Sequence, residues 1–318
     1  MYIYMDNRII SITKLEDEVR KYINTTRYQN NLIKDGNNWN QICCSLDTIG
    51  DTLYAIDSYV KTEFPSDLGL KYIYIYGLQQ ALFIQQDAIK HLSEAFKIDY
   101  SHSDKVNEIR NFRNASIGHP TKQDRIKGEA KKVYYNYLSR PSLSKDGFSL
   151  MRCSDGDTNF EKINILDVIS SHFNEIEKAY KLIVKVLKEA DRMHKEKFKD
   201  KLLVDIFHSS LGYYFEKIAQ GIYSPEGSNV EFAISMLDIV IETYSKFEVA
   251  LQERGDIESC TQHDLDGYNH ALSKLNIYLK NQDSSMTEKD ALIYLYYIRK
   301  NNKDFEQIAN EIDQSYLE

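Results

Sequence analysis

Residues 108–120 read Glu-Ile-Arg-Asn-Phe-Arg-Asn-Ala-Ser-Ile-Gly-His-Pro. Their apolar spacing predicts a helix that ends at Gly118-His119-Pro120, because glycine favours a C-terminal cap and proline cannot continue the ladder. This places Arg113 and Asn114 in the last two turns of the helix, and His119 on the loop that leaves it. A guanidinium, an amide and an imidazole are therefore concentrated at one helix end, where packing alone does not require them.

The rest of the sequence favours a mainly helical fold. The chain has 318 residues, enough for one large or two ordinary domains, and 13 Gly and 4 Pro suit long helices with few turns. Apolar residues at helical spacing predict helices over residues 8–32, 38–62, 68–96, 165–199, 202–220, 230–252, 263–279 and 287–316. Residues 72–76 alternate like a strand, but the run continues without a turn signal, so we favour a long buried helix there.

The pattern changes after His119. Three short β-prone runs lie within about residues 132–165 and are separated by Pro141, Lys145-Asp-Gly147 and Asp155-Gly-Asp157. These breaks are typical of hairpin turns. We therefore predict a small β-hairpin or three-stranded meander inserted after the motif helix, followed by more helices.

Cysteine and histidine usage indicates structural roles away from the motif. The four cysteines show no paired framework, and Cys43 and Cys44 fall on an apolar helix face, where we expect core residues. The histidines on amphipathic helices are predicted to lie at the boundary of core and surface; they are His91, His172, His194 and His208. With no apolar run of membrane-spanning length and no leader-like N-terminus, we expect a cytoplasmic protein with no membrane association.

Charge is distributed unevenly along the chain. The net charge of −8 argues against indiscriminate nucleic-acid binding, yet residues 120–145 contain seven Lys or Arg against two acids. Two interpretations of this segment stay open, a solvated face and a surface that follows RNA phosphates. The candidate RNA-binding residues are Lys122, Arg125, Lys127, Lys131 and Lys132.

The three polar residues of the motif suit RNA cleavage by the substrate's own 2′-hydroxyl. A histidine with an ordinary pKa near 6.5 exchanges protons at neutral pH. Arginine can hold two phosphate oxygens and stabilise charge at phosphorus, and asparagine can orient the imidazole or donate to a phosphate oxygen. This chemistry needs no metal, and no glycine-rich phosphate loop or nucleotide fingerprint is present, so we expect no metal and no cofactor.

Arg113-Asn114-x4-His119 resembles the motif of the HEPN superfamily, the higher eukaryotes and prokaryotes nucleotide-binding domains. Five residues separate the arginine from the histidine, within the family's window. The resemblance covers about residues 37–199 and implies a HEPN-like helical bundle. It also implies a metal-independent endoribonuclease, commonly a toxin or antiviral defence effector, whose homodimer interface carries the motif. An antitoxin or defence-system partner would accompany such a hydrolase.

These expectations define a domain division and a set of site residues. We predict a HEPN-like domain over residues 1–200 and a C-terminal helical bundle over residues 201–318, whose role no motif indicates. Arg113, Asn114 and His119 are the catalytic candidates, with Glu108 and Arg110 as candidates for supporting them.

A structural role for the motif residues stays open as the alternative to catalysis. Arg113 could cap its own helix or pair with Glu108, while His119 hydrogen-bonds a carbonyl at a tight turn. The protein would then be a non-catalytic helical scaffold that binds a protein partner or RNA.

Overall fold

The computed structural model describes the backbone of residues 2–127, 130–224, 227–280 and 285–317, and their side chains except those of residues 2–6, 125–127, 130 and 131. The described chain is mainly α-helical with a small antiparallel sheet, as the sequence predicts. The helices are α1 (Tyr2–Ile23), α2 (Thr26–Ile33), α3 (Gly36–Lys61), α4 (Leu68–Ala95), α5 (Asp104–Arg113), α6 (Ile165–Phe198), α7 (Leu211–Tyr223), α8 (Ser228–Arg254), α9 (Ser259–Leu279) and α10 (Glu288–Leu317). Within the described ranges, no helix combines the length and apolar character needed to cross a bilayer.

Side-chain caps fix the starts of α3 and α4. The Asp35 carboxylate accepts from the Asn38 backbone N–H at 3.2 Å, and Asp67 accepts from the Leu70 N–H at 2.8 Å. Each cap satisfies a backbone donor that has no partner within its helix. Residues 72–76 lie inside α4, so the prediction of a helix there is confirmed.

The first predicted helix, residues 8–32, is divided in two. It breaks after Ile23, and a new helix begins where the Gln29 N–H donates to the Thr25 carbonyl at 2.9 Å. Asparagine and threonine at residues 24–26 are weak helix formers, because their side chains compete for backbone hydrogen bonds. The prediction of one continuous helix was therefore wrong at this point.

The sheet has four antiparallel strands in the order β1 (Gln123–Lys127), β2 (Ala130–Leu138), β3 (Gly147–Ser154) and β4 (Asp157–Asn164). The sequence predicted only the part after residue 132. It missed β1, because that strand reads Gln-Asp-Arg-Ile-Lys and lacks apolar alternation. The β3–β4 turn is the predicted hairpin, with Asp155 and Gly156 at φ of 46° and 87°.

Chain contacts divide the protein into two compact units. One comprises Met1–Ile23 and Leu32–Lys188, and the other comprises Asn24–Asn31 and Glu189–Glu318. The sequence analysis placed the division at residue 200, whereas the units meet in the chain between Lys188 and Glu189, inside α6. Because α6 is one continuous helix, no loop marks that division in the sequence.

The second unit is a helical bundle with an aromatic core. The rings of Tyr244 and Tyr268 lie 4.0 Å apart, and the Phe305 ring packs edge-on against Tyr268 at 5.2 Å. Arg254 and Asp313 form a buried ion pair, and Asp313 also accepts from the Leu203 N–H at 2.9 Å, which fixes the segment between α6 and α7. The segment that precedes α7 is thereby held in a short 3₁₀ turn, so the predicted helix start at residue 202 was wrong.

The first unit contains a buried polar layer. His172 of α6 is fully buried, and its Nε2 lies 2.7 Å from Gln85 Oε1 while its Nδ1 lies 3.3 Å from Gln86 Nε2. Gln85 donates its own amide N–H to the Ile49 carbonyl at 2.9 Å, which directs its oxygen toward the imidazole. His172 is therefore a core residue, and its predicted boundary position was wrong.

Three further residues were misplaced by the sequence analysis. Cys44, predicted to be a core residue, is exposed, and Cys43 is half-buried. His91 is exposed rather than at a boundary, and His208, predicted on an amphipathic helix, is exposed in the loop before α7. Cys44 and His91 lie on long helices whose apolar stripes are broad, so spacing alone does not define the edge of the buried face.

Burial lowers the pKa of His172 to about 3, with a smaller contribution from His102. The folded state then binds fewer protons than the unfolded state from pH 6.5 downward, so the free energy of unfolding falls as pH decreases through this window. Between pH 8 and pH 5 we expect His172 to account for a loss of about 2 kcal/mol. Urea denaturation at both pH values, compared with His172→Gln, measures this contribution.

The exposed His91 provides the matched control for this prediction. His91→Gln should retain the wild-type dependence of stability on pH. An unchanged dependence in His172→Gln would contradict a neutral buried imidazole.

Candidate functional site

The motif helix ends in a wide turn. Ser103 caps the start of α5 by accepting from the Val106 N–H at 3.4 Å. After Arg113 the chain continues as a π-helical turn over Asn114–Gly118, which the His119 N–H closes by donating to the Asn114 carbonyl at 2.7 Å. The helical stretch does end at Gly118, as predicted, but its last turn contains one residue more than an α-helical turn.

The guanidinium of Arg113 is held by two amide side chains. Its Nε and Nη2 donate to Gln80 Oε1 at 3.3 Å and 2.8 Å, and its Nη1 donates to Asn114 Oδ1 at 3.1 Å. Three of the five N–H donors of the group are thus engaged. Across the described part of the chain, the second hydrogen of each terminal nitrogen has no protein acceptor.

An aromatic ring supports this arginine and its neighbour one turn earlier. The guanidinium carbons of Arg110 and Arg113 lie 4.1 Å and 4.3 Å from the centre of the Phe83 ring. Both distances are within the range of a cation–π interaction. Arg110 also forms an ion pair with Asp87 at 2.8 Å, so α4 provides an anchor for each cation.

A buried hydroxyl fixes the π-turn against the same helix. Ser116 Oγ lies 2.5 Å from Gln79 Oε1 and 2.7 Å from the Phe112 carbonyl oxygen. Ser116 and its neighbour Ala115 are both buried. Gln79 and Gln80, adjacent on α4, therefore hold the middle of the motif turn and the arginine that precedes it.

Gly118 is needed for space rather than for backbone conformation. Its φ is not positive; the positive-φ glycines of the described residues are Gly156, Gly227 and Gly255. A Cβ at Gly118 would lie 3.0 Å from Arg113 Nη1, closer than most side chains tolerate. The guanidinium therefore lies against the residue that immediately precedes His119.

The structure brings Arg113 and Asn114 into direct contact and places His119 next to them in the chain. His119 is exposed, and its φ and ψ of −140° and 53° end the helical stretch. Asn114 accepts from the guanidinium with its side chain and from the His119 N–H with its carbonyl. It therefore links the two residues that the sequence predicted to act together.

The other predicted site residues differ in their surroundings. Glu108 is exposed and pairs with Lys105 at 3.0 Å, so it does not contact Arg113. Arg110 shares the Phe83 ring with Arg113, which places it beside the predicted site.

Among the basic candidates, Lys122 is exposed, and the Lys132 ammonium lies 5.5 Å from the centre of the Tyr134 ring. The side chains of Arg125, Lys127 and Lys131 lie outside the described residues, although the backbone register pairs Arg125 with Lys132.

A second histidine lies near the start of the motif helix. Burial lowers the pKa of His102, and the positive charge of Arg110 lowers it further. Its imidazole packs edge-on against the Tyr100 ring at 5.7 Å. The charged form of His102 is therefore disfavoured beside Arg110.

Sequence reasoning missed Gln80 and Phe83, which determine where the guanidinium lies. Glutamine and phenylalanine inside a long helix carry no motif that could have indicated this role. Among the described side chains, no group of three or more His, Cys, Asp or Glu is arranged to hold a metal ion.

Comparisons with protein-family models, curated proteins and solved structures give no match to this chain.

Replacing Gln80 by leucine should destabilise the protein by about 1–2 kcal/mol, because the half-buried Arg113 loses two charge-assisted hydrogen bonds. Gln80→Glu keeps an acceptor at the same position and should retain the wild-type stability. Urea denaturation at pH 7 measures both variants. Equal stability of Gln80→Leu and wild type would contradict the inferred anchoring.

Proposed function

We propose that the protein is a metal-independent endoribonuclease of the HEPN type. One observation carries the proposal: Arg113 is fixed by Gln80, Asn114 and Phe83 and lies against Gly118, the residue that precedes the exposed His119. A fixed cation with unused N–H donors and a solvent-accessible histidine at the same turn suit binding and proton transfer at a phosphodiester.

His119 is the general base in this proposal. It removes the proton of the substrate's 2′-hydroxyl, and the 2′-oxygen attacks the adjacent phosphorus. The bond from phosphorus to the 5′-oxygen breaks, and that oxygen takes a proton from a general acid. The products are a 2′,3′-cyclic phosphate and a 5′-hydroxyl end, so all atoms and protons are accounted for.

Arg113 stabilises the negative charge that gathers on the phosphoryl oxygens. Its two unused terminal N–H groups match the two non-bridging oxygens of a phosphodiester. Because the guanidinium is already held in place, little reorganisation accompanies the reaction. Asn114 orients this guanidinium, and that role is supported by its 3.1 Å contact with Nη1.

A homodimer would supply the general acid. One imidazole does not serve conveniently as base and acid in a single step, whereas a second copy of the chain would bring a second His119. The exposure of His119 is compatible with such an interface. The resemblance to HEPN ribonucleases adds the expectation of a toxin or antiviral defence role, with an antitoxin or defence-system partner.

A non-catalytic scaffold is the second candidate, and one observation favours it. The contacts of Arg113 join α4 to the π-turn, so this arginine also serves the fold. In that case replacing His119 would change no activity of the protein, whereas in a ribonuclease it would abolish RNA cleavage.

We expect the purified protein to cleave total and transfer RNA in the presence of EDTA. Arg113→Ala and His119→Ala should each lower the cleavage rate by about 100-fold or more, because they remove charge stabilisation and proton transfer. Gel analysis of the fragments, with a test for 5′-hydroxyl ends, measures both rate and product chemistry.

Exposed residues of the same types serve as controls for the cleavage experiment. His91→Ala and Arg192→Ala should retain wild-type activity, since both residues are exposed and lie outside the motif and the basic segment that follows it. Equal cleavage by all five proteins would identify a contaminating nuclease. Absence of cleavage by every variant, with RNA or partner binding retained, would favour the scaffold.

Gly118→Ala tests the position of the guanidinium without removing a charged group. The added methyl group lies 3.0 Å from Arg113 Nη1, so the guanidinium must shift, and we expect a loss of activity on the order of tenfold. Gly77→Ala is the matched control, because nothing lies within 4 Å of a Cβ added there. An active Gly118→Ala enzyme would contradict a rate that depends on this position.

A further inference from the structure

The outer face of the sheet exposes three aromatic rings. Tyr137 of β2 pairs with Met151 of β3, which in turn pairs with Phe160 of β4, and Tyr135 pairs with Cys153 in the next row. Directly paired residues on neighbouring strands share one face of a sheet. We call the surface formed by these five residues the aromatic face.

The opposite face of the sheet packs into the protein. Phe148, Leu150 and Ile163 are buried there. Arg152 of the same face bonds to Asn136 at 3.2 Å and pairs with Glu161 at 3.2 Å. The sheet therefore contributes apolar side chains to the protein core from this face.

The rings of the aromatic face have no role in that packing. Tyr135, Tyr137 and Phe160 are 45%, 54% and 66% exposed. Single exposed aromatic residues are common on protein surfaces, but three within two rows of one small sheet form a patch that suggests a ligand. Flat rings displayed on a sheet are well suited to stacking with unpaired bases.

Charge favours a polyanionic ligand at this surface. Residues 120–164 contain nine Lys or Arg against six Asp or Glu, within a chain whose net charge is −8. Lys162, which is exposed, lies two residues after Phe160 on β4 and so on the same face. The rings thus lie in a segment that carries three more basic than acidic residues.

The strand that carries two of the rings is joined to the motif turn at the edge of the sheet. The Asn136 N–H, between Tyr135 and Tyr137, donates to the Pro120 carbonyl at 2.8 Å. Pro120 follows His119 directly. Arg113 lies with Phe148 and Ile163 of the buried face, so a strand of RNA on the rings would pass the sheet edge at Pro120 to reach the motif.

We propose that the aromatic face binds single-stranded RNA by base stacking and positions the strand for the Arg113 and His119 site. The choice of RNA as ligand rests on the proposed function. Duplex RNA is not the ligand, because its bases are already stacked and cannot reach the rings.

Binding is measured by fluorescence anisotropy of a labelled 2′-O-methyl oligonucleotide, which lacks the attacking hydroxyl and cannot be cleaved. Tyr137→Ala and Phe160→Leu should each weaken binding by about fivefold to about 150-fold, because each removes one stacking ring. Tyr137→Phe keeps its ring and should bind as wild type does. Tyr54→Ala removes a ring that is 76% exposed on α3 and is the matched control.

Two results would overturn the proposal. Equal affinity for the oligonucleotide in wild type, Tyr137→Ala and Phe160→Leu would show that the rings do not contact RNA. A shift from dimer to monomer in these variants, seen by size-exclusion chromatography, would instead make the aromatic face an interface between copies. Circular dichroism confirms that each variant is folded before either result is interpreted.

The design separates this proposal from the proposed function. Ring-dependent binding without RNA cleavage by the wild type would support the aromatic face and reject the ribonuclease. Cleavage that requires His119, together with ring-independent binding, would support the ribonuclease and reject the aromatic face.

Discussion

The site depends on the hydrogen bonds that Ser116 and Arg113 donate to the side-chain oxygens of Gln79 and Gln80. Because the two glutamines are adjacent on α4, they cannot be displaced independently, and together they fix Ser116 and Arg113. Phe83, one turn further along α4, packs its ring against the guanidinium of Arg113. The site is thus held by a long rigid helix rather than by its own short one, which is how a ten-residue helix can present a well-defined cation.

The same helix is fixed on its other sides by the buried polar layer. Gln85 connects α4 to α3 through the Ile49 carbonyl, and His172 connects it to α6. A buried polar group without a partner destabilises a fold by about 1–3 kcal/mol, so alternative rotations of α4 are disfavoured. Burial of polar groups here therefore specifies one orientation of the helix, and with it the position of the residues that contact Arg113.

The sequence could predict those features that depend on neighbours in the chain. The helix leading to Arg113 and the end of the helical stretch at Gly118 follow from local propensities. Gln80 could not be recognised, because its contact with Arg113 spans 33 positions and results from packing. Strand β1 was missed because its residues are polar and only pairing with β2 makes it a strand. The burial of His172 depends on two glutamines from another helix, which spacing does not show.

Because the helix ends in a π-turn, the direction in which the chain continues at His119 depends on the number of residues in that turn. An α-helical turn closes over four residues, whereas the turn from Asn114 to His119 closes over five. Each residue in a helix advances the chain by about 100°, so the extra one rotates everything that follows by nearly a third of a turn. The direction in which His119, Pro120 and the first strand leave the helix therefore depends on the number of residues in the turn. Insertions and deletions between Arg113 and His119 act on geometry even where they alter no side chain of the site.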